Sequence, residues 1–455
     1  MPPDDSPPHI LCINPWIHDY AAYDHWAAPL GLMWICAILR DHGMRVSYID
    51  CLNRFHPMAE ESGKGNLADG RGAYRKTPIP PPKGLADMPG RYFRYGIDPS
   101  WFAADLAAAV KPDLILMTSL MTYWYGGVKE AITEIRRVYP DVPVILGGIY
   151  ATLLPRHARE HTGADEVIEG AGEMVIFKAV EKYTGFAAEP TVHPPVFDPT
   201  DMNTFPYPAF DMQSAIPYIP LLTTRGCPNR CAYCAARILQ PRRMSRDPDH
   251  VAAEIRFWHE THGVRNFAFY DDALLLDAES HAVPLFEKIA GMKRDLWFHT
   301  PNAIHVRPIT ARVARSMFAA GFRNIRMGLE TTDADRQGFD NKVCREEFVE
   351  AVRVLLEAGF EPDRLGAYLL VGLPGQDFGS VGESIDTVAR LGVRPALTYY
   401  TPIPGTRMWA AACRLSRYDL EADPVFTNNA VMPCMPEYDQ GLINSLRQRA
   451  QGFRG

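Results

Sequence analysis

The chain has little of what a nucleic-acid or membrane protein needs. Its 47 Lys and Arg are outnumbered by 54 Asp and Glu, for a net charge of −7. That balance gives no general basic footprint, so nucleic acid is not expected as a partner. No uninterrupted apolar run reaches the roughly 20 residues of a membrane helix. The opening MPPDDSPPHI lacks the charged-then-apolar order of a secretory leader. Nine cysteines in 455 residues are too few and too scattered for a disulfide scaffold. These absences predict a cytoplasmic globular protein. What is present agrees, with 47% apolar and 22% charged residues. The length predicts two domains.

Strand and helix patterns alternate through the first part. HILCINP, RVSYIDCL, PDLILMTSL and PVILGGIY read as strands. PLGLMWICAILRDHG and VKEAITEIRRVYP read as helices between them, with Pro and Gly at their ends. Such alternation predicts a Rossmann-like parallel sheet covered by helices, in a domain over residues 1–185. Residues 53–100, rich in Gly, Pro, Lys and Arg, interrupt it. They read as a surface insert or a lid. Residues 186–216, with many prolines, read as a linker. Residues 217–455 then repeat the alternation. IPLLTTRG, VRNFAFYDD, LWFHTPN, FRNIRMGLET, LGAYLLVGLPG and PALTYYTPIP give six strands, the count of a partial (β/α)6 barrel of TIM type. Active sites of barrels lie at the carboxyl ends of the strands.

One cysteine cluster follows the first of these strands. Cys227, Cys231 and Cys234 have C-x3-C-x2-C spacing, no histidine lies between them, and the next cysteine is Cys344. Structural zinc normally takes four protein ligands. Three thiolates on a four-iron cluster leave one iron open to substrate. Zinc, or plain buried thiols, is the alternative.

The spacing, Tyr233 before the last cysteine, and the position after the first barrel strand together resemble the radical S-adenosylmethionine (radical SAM) superfamily. The resemblance implies a [4Fe–4S] cluster that binds SAM and cleaves it by one electron to methionine and a 5′-deoxyadenosyl radical. It also implies an electron donor such as flavodoxin or ferredoxin. Tyr233 and later strand ends resemble family SAM-binding positions: Asp271 and Asp272 in FAFYDD, Asn302 in TPNAIH, Arg326 and Glu330 in NIRMGLET, and Gly372 in LLVGLPG. On a strand, Arg326, Gly328 and Glu330 share one face; mutual pairing of Arg326 and Glu330 is the alternative. TPIPGT (residues 401–406) matches a closing segment of one subgroup and is assigned no role.

The first domain resembles the cobalamin-binding domain of cobalamin-dependent radical SAM enzymes. TSLMTYW, ILGGIYAT and VIEGAGE carry the resemblance, with Ser119, Leu120, Gly147, Gly148, Gly170, Gly172 and Glu173 as cobalamin-binding positions. Small residues there let a large planar group approach backbone. The chain lacks the D-x-H-x-x-G motif that supplies a lower-axial histidine. The aromatics of MTYWY are candidates for packing beneath the corrin, or for the core. His18, Asp19, Asp24 and His25 form a polar loop after the first strand, read as solvated or as facing substrate. Cys12, Cys36 and Cys51 read as inert buried thiols.

The resemblance implies methyl transfer to an unactivated carbon of a small molecule or natural product, with methylcobalamin as donor; some relatives form rings instead. Two alternatives stand beside it. A methylthiotransferase would carry a second cluster, for which Cys12, Cys36 and Cys51 lack the spacing. A cobalamin or redox sensor would hold a structural cluster.

Overall fold

A computed structural model describes residues 6–59, 66–188, 196–332 and 343–452. The chain divides into two compact units, Met1–Pro217 and Tyr218–Gly455.

The first unit is built on five parallel strands: β1 (His9–Asn14), β2 (Arg45–Asp50), β3 (Leu114–Met117), β4 (Val144–Leu146) and β5 (Glu166–Val167). Their order across the sheet is β2-β1-β3-β4-β5. Strand periodicity sends alternate residues to opposite faces. Leu11, Ile13, Ile115 and Met117 therefore pack against Val128, Ala131, Ile132 and Ile135 of the helix Tyr125–Val138. Ile10, Cys12, Leu114 and Leu116 pack on the other face against Leu32, Ile35, Cys36 and Leu39 of the helix Leu30–Asp41. Both faces are covered, which is why these strands read as continuous apolar runs. Cys12, Cys36 and Cys51 are all buried.

Two stretches depart from their sequence reading. Residues 53–100, described except for 60–65, are not a bare loop. Lys76–Pro78 and Phe93–Tyr95 form a three-stranded antiparallel sheet with Ile17–Asp19. Ile17, Leu52, Tyr74 and Tyr95 make a small core of their own there. The Pro-rich stretch before the second unit, described from residue 196, packs onto the first unit. Met202, Phe205, Ala209 and Phe210 are buried. Phe205 meets Trp34 edge-on at 5.6 Å, and Ala209 donates to the Met33 carbonyl at 3.0 Å.

The second unit has six parallel strands: β6 (Ile219–Leu221), β7 (Asn266–Phe269), β8 (Trp297–His299), β9 (Phe322–Glu330), β10 (Leu365–Val371) and β11 (Arg394–Tyr399). They lie side by side in chain order, with helices between them, as in a partial (β/α)6 barrel. Stacked rings of Phe267, Phe269, Phe298 and Phe322 fill it near β7–β9. The loops that follow each strand therefore gather at one end of the sheet.

Candidate active site

The cysteine loop leaves the end of β6. Thr224–Arg225 pairs antiparallel with Met244–Ser245, which closes the neck of a loop spanning 226–243. Gly226 turns the chain at φ +84, and a Cβ there would lie 2.9 Å from the Arg242 carbonyl oxygen. Only glycine fits that combination. Cys227 and Cys231 are half-buried and Cys234 is exposed, and none of the nine cysteines is in a disulfide. The Cys234 N–H donates to the Cys231 carbonyl at 3.2 Å, and the Ala236 N–H reaches the Cys234 sulfur at 3.4 Å.

The fit to a metal group can be tested on these donors. Among the described residues no three His, Cys, Asp or Glu side chains are gathered to hold a single ion. One zinc ion would draw its thiolates to a common point, whereas a four-iron cube spaces its ligands more widely. Three thiols on one loop, with no fourth cysteine nearer in the chain than Cys344, fit a four-iron cluster that keeps one iron open.

Asp271 and Asp272 follow β7, and the structure gives them different tasks. Asp271 is buried beneath the loop neck. Its carboxylate accepts the hydroxyls of Thr223 and Thr224, each at 2.7 Å, and the Thr224 N–H at 2.6 Å. Burial pushes its carboxyl pKa up, and those hydrogen bonds oppose the rise. The side chain is engaged in holding the loop. Asp272 accepts from the Gly226 backbone; burial and then the neighbouring Asp271 charge push it up to about 6.

Asn302 follows β8 and donates to the Tyr270 carbonyl at 2.8 Å, tying the β8 end to the β7 end. Three residues on, His305 Nε2 lies 4.0 Å from the Cys227 sulfur and 3.1 Å from Asn229 Nδ2. Sequence reasoning quoted this stretch but passed over His305, whose neighbours are 76 and 78 residues away. Tyr233 packs against the buried cluster of Tyr400, Ala412, Leu420 and Cys434, anchoring the loop through its ring.

Arg326 lies opposite Gly366 of β10, and that glycine leaves room for the guanidinium. A Cβ at Gly366 would sit 3.0 Å from the Arg326 Cδ and Nη1. The alternation expected along β9 stops at Gly328. The register to β10 shifts between Gly328 and Glu330, and Glu330 takes φ +67. Such strain in a non-glycine residue is held only by its surroundings and clusters at functional sites. Gly372 differs from its sequence reading. It has φ +89, but a Cβ would meet the Met432 Cε at 2.9 Å, so Met432 occupies the space left by the missing side chain.

In the first unit the predicted positions lie at the carboxyl end of the sheet. Ser119 is buried and donates to the Gly147 carbonyl at 2.6 Å. Gly148 has φ +95, and a Cβ there would fall 2.3 Å from the Ser119 carbonyl oxygen. Gly147 and Gly170 have nothing within 4 Å of a built Cβ, so a flat ligand has room at both. A Cβ on Gly172 would meet the Ile35 Cδ1 at 3.6 Å, while Leu120 and Glu173 are half-buried. Exposed Met121 (43%) and Met174 (47%) add apolar surface from the loops after β3 and β5. Of the aromatics offered as corrin packing, Tyr123 is buried and the Trp124 indole donates to Asp19 at 2.6 Å. They are spent on the core, and Met121 is the member of that stretch left exposed. The polar loop is mostly engaged rather than solvated. Asp24 pairs with Arg54 in a buried contact at 2.9 Å and His18 pairs with Glu130 at 2.7 Å, while His25 stays exposed.

Two family models match the chain: the radical SAM superfamily over residues 221–388 and the B12 binding domain over residues 98–178. The chain carries a radical SAM domain and a B12-binding domain. An uncharacterized methyltransferase of Pyrococcus horikoshii is 22% identical over 339 residues, covering 68% of this chain and 72% of that protein. An anaerobic magnesium-protoporphyrin IX monomethyl ester cyclase of Cereibacter sphaeroides is 24% identical over 391 residues, covering 76% and 61%. The fold is shared with the radical SAM methyltransferase TsrM of Kitasatospora setae, solved with cobalamin and a [4Fe–4S] cluster. The TM-score is 0.62 at 18% identity, over 90% of this chain and 78% of that one.

Proposed function

We propose that the chain is a cobalamin-dependent radical SAM methyltransferase acting on an unactivated carbon of a small molecule or natural product. One observation carries the reading. A loop with three cysteines leaves the first barrel strand, and the same chain holds a B12-binding sheet with open space at Gly147 and Gly170 beyond its strand ends. When bound, the cluster and SAM supply a 5′-deoxyadenosyl radical and cobalamin supplies the methyl carrier.

This chain's own residues position and exclude. Cys227, Cys231 and Cys234 would hold the cluster, which would supply an open iron to SAM. Asp271, through Thr223 and Thr224, fixes the base of their loop. Arg326, held at the β9–β10 seam, Glu330 at the bulge, Asp272 and Asn302 form the polar rim toward SAM, and Gly372 lets Met432 close it. Ser119 and Gly148 set the turn at the end of the strand, and with Leu120, Gly147, Gly170, Gly172 and Glu173 they would hold the cobalamin. No helix among the described residues is long and apolar enough to cross a membrane. The free thiols and iron chemistry suit a reducing cytoplasm.

Ring formation is the second reading, favoured by the match to the cyclase. The B12-binding match favours both over a methylthiotransferase. The test is anaerobic protein supplied with iron, cobalamin and methyl-labelled SAM, offered a panel of small-molecule substrates. Methyl transfer puts label in the product. A product that lacks label while 5′-deoxyadenosine accumulates overturns the methyl-transfer assignment.

A further inference from the structure

His305 has no part in the chemistry above, yet the barrel holds it with care. The backbone that carries it is pinned on several sides. The Pro301 carbonyl accepts the Tyr368 hydroxyl at 3.0 Å, and Asn302 donates to the Tyr270 carbonyl at 2.8 Å. The Ile304 N–H donates to the Arg326 carbonyl at 2.8 Å, and the Ile304 carbonyl accepts the Gly328 N–H at 3.1 Å. These two bonds form an isolated parallel bridge from Ile304 to Met327 of β9. Extended backbone sends neighbouring side chains to opposite sides. Ile304 and Val306 are buried, and half-buried His305 between them turns to the cysteine loop. There its Nε2 lies 4.0 Å from the Cys227 sulfur, the long end of an N–H···S contact. The amide nitrogen of Asn229 stands 3.4 Å from Nδ1 and 3.1 Å from Nε2, so it can serve either ring nitrogen. A thiolate beside Nε2 decides between them. It accepts only, and a charge-assisted bond outweighs a neutral one. The ring proton then belongs on Nε2, and the Asn229 amide donates to Nδ1.

We infer that His305 is a positioning residue for the cluster: its Nε2–H donates to the Cys227 thiolate, ties that ligand to the barrel frame and raises the reduction potential of the centre. The inference rests on the cluster assignment above. Hydrogen bonds to ligand sulfurs are among the levers that set iron–sulfur potentials. The one electron that enters on reduction adds negative charge, part of which falls on the sulfurs. A donor aimed at a sulfur therefore stabilises the reduced form more than the oxidised one. The higher potential eases entry of the electron that SAM cleavage consumes. Because His305 sits on bridged backbone rather than on the loop, the donor is in place before the electron arrives.

The experiment is a mediated redox titration of the anaerobically reconstituted full chain without SAM. Dithionite is the reductant, and the EPR signal of the reduced cluster is the readout, scaled to iron per chain. His305→Phe and His305→Leu remove the donor, and the second covers a folding failure of the first. Each should lower the equilibrium constant for one-electron reduction about tenfold, a potential ~59 mV more negative. His305→Gln carries an amide N–H close to the place of Nε2 and should return the potential toward the wild-type value. A histidine that merely props the loop would cost iron or stability and leave the potential of the remaining clusters unmoved. Equal potentials in the wild type and the Phe and Leu variants therefore overturn the proposal, as does a Gln variant no different from Phe. A wild-type chain that takes up no four-iron centre instead overturns the cluster assignment beneath it.

Discussion

Asp271 receives the hydroxyls of Thr223 and Thr224 at 2.7 Å each from beneath the cysteine loop. A buried carboxylate that accepts several donors is costly to remove, because each donor is left without a partner. Asp271→Ala should destabilise the second unit by about 3 kcal/mol, read by chemical denaturation of iron-free protein. It should also lower iron retained per chain after reconstitution. Unchanged stability would show that the loop neck stands without its buttress.

Asp272 gives a pH prediction. Its carboxyl is raised from the ordinary 3.8 to about 6, so between those values the native state holds a proton that the unfolded chain has released. Stability contributed at this site is therefore present below pH 4 and is lost as pH rises through 6. The loss is ~3 kcal/mol at most. In iron-free protein, Asp272→Asn should be the more stable form at pH 7, with the advantage vanishing near pH 4. A pH-independent difference would contradict the assignment.

The two adjacent glycines of ILGGIYAT should behave differently. Gly148→Ala forces a side chain into positive φ and onto the Ser119 carbonyl, at a cost of about 2–4 kcal/mol. Gly147→Ala meets nothing within 4 Å and should leave stability within ~0.5 kcal/mol while weakening corrinoid retention. Thermal melts and the bound-corrinoid spectrum separate the two effects. A Gly147→Ala protein that binds cobalamin normally would remove that glycine from the cradle.

Much of this was legible because the decisive patterns are local. Buried parallel strands announce themselves as apolar runs, and the three cysteines lie within eight positions. The single-residue assignments were harder. Asp271 and Asp272 are chemically identical neighbours, and only the fold shows that Thr223 and Thr224, 48 and 47 positions away, spend one of them on structure. Gly372 was read as space for a ligand, whereas Met432 arrives from sixty residues downstream to fill it. The alternation that placed Glu330 with Arg326 fails at a bulge, which no period-two pattern announces. Residues 53–100 looked irregular because their two strands are three residues each and pair with a distant third.

Cys231→Ala should remove one cluster ligand while leaving the first unit folded. Iron per chain and SAM cleavage to 5′-deoxyadenosine should both collapse, with the corrinoid spectrum of added cobalamin retained. Persistent SAM cleavage in this variant would mean that the loop is not the ligand set.

Mössbauer spectroscopy of iron-57-labelled wild-type protein, before and after SAM addition without oxygen, reaches the central claim most directly. A [4Fe–4S] centre with three thiolate-bound irons should change at one iron alone when SAM is added. Four equivalent irons indifferent to SAM, or no cluster iron, would contradict it.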